Sequence, residues 1–427
     1  MFYFWLFLYN IFYPFLFLAA MIFSLFGLKV RESILGKFKS LSVIRTNSNL
    51  FNRGNDIYWF HVSSLGEYFQ ITSVLKSLRE IDSRIKIVVS FTSSSGYNNA
   101  RDDLFDLKFY LPFDFIWIIG KTLNIIKPKK IVFSSYDIWF NFLFLAKFRN
   151  IETTLTSLVI DDNSNKLNQI IKSFYKTIYK NLDFIHVVTE RDKKNLEIIL
   201  GLNGHNTKVL VSGNPRVDYV YDEFQNTSED VQKLEILKRE NIIIIASTHD
   251  KDDEIVIPGL IKTHNKFPNW KIIYVPHDPI KKKNNKIKLM FNRSNKDVKI
   301  ISNGNLSFPE NKTYLISSVG LLAKLYWIAK IAYVGGGFST GIHNIMEPSI
   351  ASLPIIIGPK YNNSPEAEEL LKNGGAVSIN DSIEFSFFLE ELIEDKEKLY
   401  QKSKTSKRTI EANLGATNRI IKDLTNE

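Results

Sequence analysis

Short apolar segments alternate with amphipathic stretches along most of the chain, in two successive series. The segments are rich in Ile, Val, Leu, Phe and Tyr, which is typical of strands buried on both faces. The strands predicted in the first series are Ile57–His61, Ile85–Phe91, Lys130–Phe133, Thr153–Val159, Asp183–Val188 and Val209–Val211. Those predicted in the second series are Ile242–Ala246, Trp270–Val275, Val298–Ile301, Tyr314–Ile316, Ile331–Val334 and Pro354–Ile357. The pattern therefore predicts an α/β protein of two six-stranded, Rossmann-like halves that face one cleft.

A polar, acidic stretch around residues 218–230 separates the two series and is predicted to be a linker. The chain of 427 residues is long enough for two domains of average size and an additional segment. The predicted parts are a membrane anchor at 1–28, an N-terminal domain at 29–217, a linker at 218–240, a C-terminal domain at 241–405 and a helix at 406–427. For this last helix, one arrangement to test is packing back on the N-terminal domain.

The first 28 residues contain no charged side chain. About 20 apolar residues are enough for a helix to cross a membrane, and neither the basic start nor the cleavage site of a signal peptide is present. Basic residues follow directly, beginning with Lys29 and Arg31, and such residues flank the cytoplasmic side of a span. We therefore expect a single-pass transmembrane helix at the inner membrane, with the rest of the chain in the cytoplasm; the alternative is a buried helix. The aromatic run Trp139–Phe148 fits either a membrane-interfacial patch or a core helix.

Composition excludes several classes of protein. The chain has no cysteine, so a disulfide scaffold, a thiolate metal site and a cysteine nucleophile are excluded. With seven histidines and no cysteine, we expect no metal site. The net charge of +10 is spread along the chain and fits an anionic substrate or membrane surface better than nucleic acid. The lysine-rich stretch Lys281–Lys299 fits a solvated face or, alternatively, a surface that attracts anions.

A first polar cluster follows the first predicted strand, at the position where α/β sheets bind ligands. A helix is predicted to begin there, and its first residues include Ser63, Ser64, Gly66 and Glu67. Their hydroxyl groups and the carboxylate would lie beside the free backbone N–H groups of the helix start. A glutamate in the first turn of a helix either caps that helix or acts chemically. Both interpretations of Glu67 remain open from these residues alone.

A second polar cluster is the glycine-rich loop after Tyr333-Val334, which begins at Gly335 and continues to Pro348. Glycines allow a backbone to approach a phosphate closely, and a helix N-terminus attracts anions. We predict such a helix to begin at Asn344. The loop alone is weak evidence, but here it leads into His343-Asn344 and Glu347-Pro348, and this compound pattern is more specific.

These motifs and their order resemble those of the Kdo transferases, which attach 3-deoxy-D-manno-oct-2-ulosonic acid (Kdo) to lipid A precursors in lipopolysaccharide synthesis. The resemblance covers nearly the whole chain. It rests on the N-terminal apolar segment and on the motifs at residues 64–67, 92–96, 111–114, 136–141, 213–218, 246–249, 335–348, 354–359 and 415–417.

The resemblance implies a GT-B glycosyltransferase fold, an acceptor site on the N-terminal domain and a CMP-Kdo site on the C-terminal domain. It implies inverting transfer, with no metal or other cofactor and no nucleic acid partner, and it assigns Glu67 as the catalytic base. The donor-binding residues that it implies are Gly335, Gly336, Gly337, His343, Asn344, Glu347, His277, Arg216, Ser247, Thr248 and His249. The acceptor-binding or structural residues are Ser63, Ser64, Gly66, Ser95, Gly96 and Asp137.

The chain also departs from the family's pattern. His277 stands where the family commonly has an arginine, and Arg216 is the candidate to compensate for it. Ser135 and Asp137 occupy positions that many relatives fill with two acids, and Ser317–Gly320 differs from a common family motif. Two alternative functions stay open: another GT-B enzyme that uses a UDP-sugar, and a membrane-anchored binding protein without activity.

Overall fold

The structure is a computed structural model that describes residues 2–51, 54–82, 84–201, 206–225, 235–302, 307–310 and 312–425. Its contacts divide the chain into two units. The first unit comprises Met1–Tyr219 and Gly415–Glu427, and the second comprises Val220–Leu414. Each unit contains one seven-stranded parallel sheet.

The first sheet has the spatial order β3-β2-β1-β4-β5-β6-β7. Its strands are β1 (Asp56–Val62), β2 (Ile85–Phe91), β3 (Leu107–Tyr110), β4 (Lys130–Ser134), β5 (Glu152–Leu158), β6 (Phe184–Val187) and β7 (Lys208–Val211). Alternate side chains of β1 enter different cores, because successive residues of a strand point to opposite faces. Trp59 belongs to the core on one face, whereas Tyr58 and Phe60 belong to the core on the other.

Ten helices of the described chain accompany this sheet. They are α1 (Phe2–Phe23), α2 (Leu28–Thr46), α3 (Leu65–Ile81), α4 (Ser94–Asn99), α5 (Ile116–Ile126), α6 (Phe140–Phe148), α7 (Gln169–Tyr179), α8 (Glu190–Leu200), α9 (Pro215–Gln225) and, at the end of the chain, α17 (Ala416–Thr425). Ile420 and Leu424 of α17 are buried in the same core as Tyr58. Asp218, where the predicted linker begins, lies within α9, and its carboxylate accepts the backbone N–H groups of Gly415 and Thr417 at 2.7 Å each.

The second sheet has the order β10-β11-β9-β8-β12-β13-β14. Its strands are β8 (Ile242–Thr248), β9 (Lys271–Pro276), β10 (Val298–Ile301), β11 (Thr313–Ile316), β12 (Ile331–Val334), β13 (Ile355–Ile357) and β14 (Ala376–Ser378). The helices of this unit are α10 (Asp250–Lys266), α11 (Lys281–Asn292), α12 (Leu322–Leu325), α13 (Met346–Ile350), α14 (Pro365–Asn373), α15 (Ser382–Glu394) and α16 (Lys396–Glu411).

The sheets confirm the predicted α/β architecture, but the predicted number of six strands in each half is wrong. The two strands that the prediction missed, Leu107–Tyr110 and Ala376–Ser378, both lie at sheet edges. Edge strands are short and half-solvated, so they lack the continuous apolar run of a central strand. Lys108 interrupts the first of them, and the second is only three residues long.

Helix α1 is the one described helix that is long and apolar enough to cross a membrane. Only Tyr13 of this helix is buried. The structure therefore does not support the alternative that this segment is a buried core helix. One side of α1 nevertheless contacts the first unit through polar groups. The Tyr9 hydroxyl donates to the Asp114 carboxylate at 2.8 Å, and the side-chain amides of Asn10 and Asn141 exchange two hydrogen bonds of 2.9 Å.

The aromatic run at 139–148 forms α6, which is a core helix. Most of its side chains are buried in the core that contains Trp59, whereas Phe148 at its end is 76% exposed. Of the two interpretations of this run, the structure therefore supports the core helix.

Candidate active site

The first polar cluster lies where β1 ends and α3 begins. Ser64 is the N-cap of α3, and its hydroxyl accepts the backbone N–H of Glu67 at 3.3 Å. The Glu67 carboxylate in turn accepts the backbone N–H of Ser63 at 2.5 Å. This reciprocal arrangement fixes the carboxylate at the start of the helix in the manner of a capping box. Capping does not exclude a chemical role, because the same contacts hold the carboxylate in one place.

The environment makes the Glu67 carboxylate a stronger base than an exposed glutamate. Burial raises its pKa above the usual value, and hydrogen bonding from Ser63 opposes that shift without reversing it. The nearby negative charge of Asp137 also raises the pKa. A raised pKa makes a carboxylate a better proton acceptor, which is what general base catalysis requires.

Asp137 is held by two neighbouring side chains at the same edge of the sheet. The Thr92 hydroxyl donates to its carboxylate at 2.7 Å, and His61 Nε2 lies 3.1 Å from the same oxygen. Burial disfavours the charged form, but hydrogen bonds from His61 and Thr92 and the charge of Lys37 outweigh it and lower the pKa of Asp137 to about 2. Asp137 is therefore an ionised carboxylate near Glu67. Of the two carboxylates, that of Glu67 is the more basic.

The sequence analysis did not select His61 or Thr92 as site residues. His61 is the inward-facing residue near the end of β1 and is fully buried, with Nδ1 2.9 Å from the Ser90 hydroxyl. A histidine within an otherwise apolar strand was a detectable signal, because buried polar groups require partners.

The loop after β2 packs directly against the Glu67 segment. The backbone N–H of Ser93 donates to the Ser63 carbonyl at 2.9 Å. A Cβ at Gly96 would lie 2.8 Å from the Phe91 ring and 3.1 Å from the Ser64 backbone, so a side chain has no space there. By contrast, a Cβ at Gly66 would meet only the Ser64 hydroxyl, at 3.7 Å, and Ser95 is exposed. Gly96 is therefore required by packing, whereas Gly66 and Ser95 are not.

In the second unit, the glycine-rich loop connects β12 to α13. A Cβ at Gly335 would lie 2.5 Å from the Ser247 carbonyl, and one at Gly337 would lie 2.6 Å from Gly358 Cα. Gly336 has a φ of +96°, which an L side chain rarely adopts. The three glycines therefore allow this loop to pass between the ends of β8 and β13.

A buried carboxylate that the sequence analysis missed holds this loop in place. Asp252, on α10, is fully buried and accepts three hydrogen bonds. The donors are the Tyr333 hydroxyl at 2.8 Å, the His249 N–H at 2.8 Å and the Gly336 N–H at 3.0 Å. Asp252 thus connects β12, the glycine-rich loop and the start of α10. Its position three residues after His249, in the first turn of a helix, was the available signal.

Three of the predicted donor-binding residues are histidines, and they lie together. His249 Nε2 and His343 Nε2 are 2.8 Å apart, and the His277 ring stacks on the His343 ring with centroids 4.2 Å apart. One ring nitrogen of each histidine lies within 4.8 Å of those of the other two. Burial, followed by the neighbouring histidines, lowers the pKa of His343 to about 4, and burial and His249 lower the pKa of His277.

The predicted helix beginning at Asn344 is wrong. Helix α13 begins at Met346 and has only five residues; its N-cap is Ile345, and the Asn344 side chain just before it accepts the Met346 N–H at 3.0 Å. The Asn344 side chain also donates to the Glu347 carboxylate at 2.6 Å. So short a helix does not provide the anion site that we expected from its N-terminus.

A pocket of about 680 Å³ opens beside His249 and the tip of the glycine-rich loop. This volume is in the range of small-molecule sites. Its lining includes Thr248, which is buried, and the loop residues Ser339 and Thr340. The lysines in its lining are Lys251, Lys282, Lys283 and Lys286, and the acids are Asp250 and Asp278. Part of the lysine-rich stretch thus lines a pocket, as in the anion-attracting interpretation of that stretch.

Two predicted donor-binding residues differ from this group. Ser247 lies at the end of β8 with a φ of +54°, beside Gly335. Arg216 lies in the first unit, near the start of α9, and its buried Nε has no hydrogen-bond partner in the part of the chain that the structure describes. A buried guanidinium N–H without a partner costs folding free energy. The Nε–H of Arg216 is therefore a donor that a ligand would be able to use.

Residues 35–219 match the family model described as 3-deoxy-D-manno-octulosonic-acid transferase (kdotransferase). The 3-deoxy-D-manno-octulosonic acid transferase of Chlamydophila psittaci is 27% identical over 75% of this chain and 73% of that protein. The transferase of the same description from Haemophilus influenzae is 24% identical over 85% of both chains.

Solved structures show the fold. A UDP-GlcNAc 2-epimerase from Neisseria meningitidis superposes with a TM-score of 0.62 at 14% identity, over 87% of this chain and 100% of that one. Acinetobacter baumannii MurG superposes with a TM-score of 0.53 at 11% identity, with the same coverage. At these identities the likeness establishes the GT-B fold and nothing about substrates.

Proposed function

We propose that the chain, a glycosyltransferase, is a member of the family of 3-deoxy-D-manno-octulosonic acid transferases and that it transfers Kdo from CMP-Kdo to a lipid A precursor with inversion. The principal observation behind this proposal is the fixed, half-buried Glu67 carboxylate with its raised pKa. The names of the relatives reported above are the reason for proposing Kdo as the transferred sugar. The resemblance of the motifs is the reason for proposing the donor, the acceptor and inversion.

In the proposed mechanism, the Glu67 carboxylate takes the proton of the acceptor hydroxyl group. The acceptor oxygen then forms a bond to the anomeric carbon of Kdo, and the bond from that carbon to the CMP phosphate breaks. The electron pair of the broken bond leaves with the phosphate oxygen. Burial favours this chemistry because it raises the proton affinity of Glu67. Asp137, which stays ionised, strengthens the same effect through its negative charge.

On the donor side, the proposal uses the pocket beside His249. CMP-Kdo contains a phosphate and a carboxylate, so its binding site requires positive charge and hydrogen-bond donors. Lys282, Lys283 and Lys286 line the pocket and supply such charge, although Asp250 partly neutralises Lys283 and Lys286, and Asp253 also pairs with Lys283. The free Nε of Arg216 is a further candidate donor to the anionic part of the substrate.

The direct test is transfer to a natural acceptor. Membranes that contain the protein are incubated with CMP-Kdo and a tetra-acylated lipid A precursor, and the product is analysed by mass spectrometry. A mass increase of one or more Kdo residues is expected. Parallel reactions with UDP-sugars test the alternative donor class, and a product only from a UDP-sugar would contradict the proposal.

For the nucleotide, we predict that Glu347→Ala weakens CMP binding by roughly 1–3 kcal/mol, the cost of leaving polar partners unmatched. Glu347 is the proposed acceptor for the ribose hydroxyl groups, and Asn344 fixes its carboxylate. Isothermal titration calorimetry with CMP measures the change. Glu310→Ala removes an exposed acid of the same unit and serves as the control. Equal CMP affinity in both variants would mean that the ribose binds elsewhere.

We also propose that α1 attaches the protein to the inner membrane as a single-pass anchor, with the catalytic part in the cytoplasm. The acyl chains of the acceptor stay in the bilayer, so the enzyme has to work at its surface. Large apolar side chains of α1 that are exposed include Phe4, Phe7, Phe12, Phe15 and Leu16. Lys29, Arg31 and Lys39 follow in α2, and each basic residue near anionic lipid adds about 1 kcal/mol of attraction.

Removal of residues 1–28 is predicted to abolish most activity on bilayer-embedded acceptor and to leave activity on detergent-dispersed acceptor. It should also lower the stability of the first unit by roughly 1–3 kcal/mol, because buried Asp114 loses the Tyr9 hydroxyl as a donor. Activity on vesicles and in micelles, together with thermal melting, measures both effects.

The double variant Phe7→Glu/Phe12→Glu separates the two effects. Both side chains are exposed, 65% and 59%, so the variant should lose vesicle binding in a flotation assay without a loss of stability. A truncated protein that equals the full chain on intact membranes would refute the anchoring proposal.

A further inference from the structure

Lys166 lies at the carboxyl edge of the first sheet, in the loop that follows β5. This loop is attached to α8, because the Asp192 carboxylate accepts the Ile160 N–H and the Asn195 side chain donates to the Ile160 carbonyl, each at 2.8 Å. Lys166 belongs to a short 3₁₀ turn, and the next residue, Leu167, packs against the core that contains Trp59. The loop therefore holds Lys166 in a defined place.

The Lys166 ammonium group lies on aromatic rings and not on a carboxylate. Its Nζ is 4.0 Å from the centroid of the Tyr136 ring and 5.2 Å from that of the Tyr175 ring. Within the described residues, this Nζ has neither a hydrogen-bond acceptor nor an ion-pair partner. Burial lowers the pKa of Lys166 to about 8, and the negative charge of Asp161 opposes that shift without reversing it. The ring faces attract the cation, but they leave its N–H donors unused.

Tyr136 connects this lysine to the proposed base. It lies just after β4, next to Asp137, and its hydroxyl donates to the Val159 carbonyl at 3.2 Å, which fixes the ring. Burial, followed by three neighbouring carboxylates that include Glu67, raises the pKa of Tyr136 to about 12. The strands β1, β4 and β5 are neighbours in the sheet, about 4.8 Å apart from one to the next. Glu67, Tyr136 and Lys166 thus follow three successive strand ends.

The second ring, that of Tyr175, belongs to α7, and α7 contacts the proposed membrane helix. Trp5 Nε1 on α1 donates to the hydroxyl of Ser173, two residues before Tyr175, at 3.3 Å. Lys166 therefore contacts one segment beside Glu67 and another beside α1. A membrane-held acceptor has to reach between these two places, because its acyl chains stay at the bilayer while its hydroxyl group meets Glu67.

We propose that Lys166 binds a phosphate group of the acceptor. A half-buried ammonium group whose N–H donors lack partners costs folding free energy, and a bound anion removes that cost. Hydrogen bonds between an ammonium group and a phosphate are charge-assisted, so they are shorter and stronger than neutral ones. A lipid A precursor has phosphate groups on its sugars. That the phosphate belongs to the acceptor rests on the proposed function, but binding of a phosphate by Lys166 does not.

The test compares Lys166→Met with the wild-type, full-length protein in detergent, on a tetra-acylated lipid A precursor. Methionine keeps an unbranched side chain over the Tyr136 ring and removes the charge. The KM for the acceptor should rise roughly 10–100-fold, the effect of losing a hydrogen bond to a charged group. The kcat and the KM for CMP-Kdo should stay near the wild-type values, because the proposed contact is made to the acceptor alone.

Two matched variants accompany this substitution. Lys166→Arg restores a positive charge that stacks on aromatic rings, so it should recover most of the affinity for the acceptor. Lys194→Met removes an exposed lysine on α8 of the same unit and should behave as the wild type. Thermal melting establishes that Lys166→Met is folded.

Removal of the acceptor's phosphate groups with a phosphatase gives the second comparison. On the dephosphorylated acceptor, Lys166→Met should have no further effect, because the partner of the lysine is gone. Equal affinity of the wild type for the two acceptors would overturn the proposal, whatever the variant does. So would an equal loss by Lys166→Met on both acceptors. A rise in the KM for CMP-Kdo alone would assign the lysine to the donor and would also overturn it.

Calorimetry separates this inference from the proposed function, because it requires no turnover. The lipid precursor, with or without its phosphate groups, is titrated into the wild type and Lys166→Met in detergent. Binding that depends on both the phosphate and Lys166, in a protein that transfers no Kdo, supports the site and contradicts the proposed function. Kdo transfer with equal acceptor affinity in the two proteins overturns the site and leaves the proposed function intact.

Discussion

Replacing Glu67 by glutamine is expected to slow Kdo transfer at least ~100-fold, the lower end of the contribution of a general base. Glutamine has nearly the same size and retains an oxygen that can accept the Ser63 N–H, so the start of α3 should be preserved. It cannot accept the proton of the acceptor hydroxyl group. Single-turnover rates with saturating CMP-Kdo isolate the chemical step, and CMP binding should be unchanged because the proposed partner of Glu67 is the acceptor hydroxyl group and not the nucleotide.

The control for this substitution is Glu80→Gln. Glu80 is an exposed residue near the end of the same helix, so the variant makes the same chemical change away from the polar cluster. It should retain wild-type rates. A Glu67→Gln enzyme with comparable turnover would remove Glu67 from the mechanism.

The raised pKa of Glu67 also predicts a pH dependence. The base is active only when ionised, so the rate should rise with pH as Glu67 loses its proton. Because burial raises that pKa, the rise should occur at a higher pH than for an ordinary glutamate. Asp137→Asn removes a negative charge that raises the Glu67 pKa, so the rise should move to lower pH.

Central strands were predictable because they are buried on both faces. The strand β2 (Ile85–Phe91) was predicted with its observed bounds. The strand β1 (Asp56–Val62) was predicted one residue too short at each end. The edge strands were not predictable in the same way, since Leu107–Tyr110 is short and contains a lysine. Hydrophobic pattern thus predicted the middle of each sheet and the fold class, but not the number of strands.

The candidate site was predictable to the extent that it lies at strand ends. Parallel strands end at the same edge of a sheet, so polar residues that follow separate strands come together there. Ser64 and Gly96, which are far apart in sequence, are in contact for this reason. The prediction of a helix beginning at Asn344 was wrong. The Asn344 side chain accepts a backbone N–H as a helix-capping residue does, but only a five-residue helix follows it.

The partners of buried groups were not predictable from local sequence. His249, His277 and His343 are separated by 28 and 66 residues, so no short ligand motif indicates that they meet. Their proximity results from the order of strands, which places β9, β8 and β12 side by side. Asp252 is a similar case, because its three donors come from the N-cap residue of α10, from β12 and from the loop that follows β12.

The substitution Asp252→Ala is expected to have the largest effect on stability in the second unit. It would leave the Tyr333 hydroxyl and the N–H groups of His249 and Gly336 without their acceptor in a fully buried place. Each unmatched buried group costs about 1–3 kcal/mol, so we expect a loss of about 3 kcal/mol or more in the free energy of unfolding. Urea unfolding, followed by hydrogen exchange of residues 220–414, measures this loss.

The matched control is Asp250→Ala, on the first turn of the same helix. The Asp250 side chain is 61% exposed and pairs with Lys283 and Lys286, and exposed ion pairs contribute about 0–1 kcal/mol. Asp252→Ala should therefore be far less stable than Asp250→Ala, and because the glycine-rich loop loses its attachment at Gly336, it should also bind CMP more weakly. Equal unfolding midpoints in the two variants would show that water replaces the Asp252 carboxylate and that the loop holds its conformation through its glycines alone.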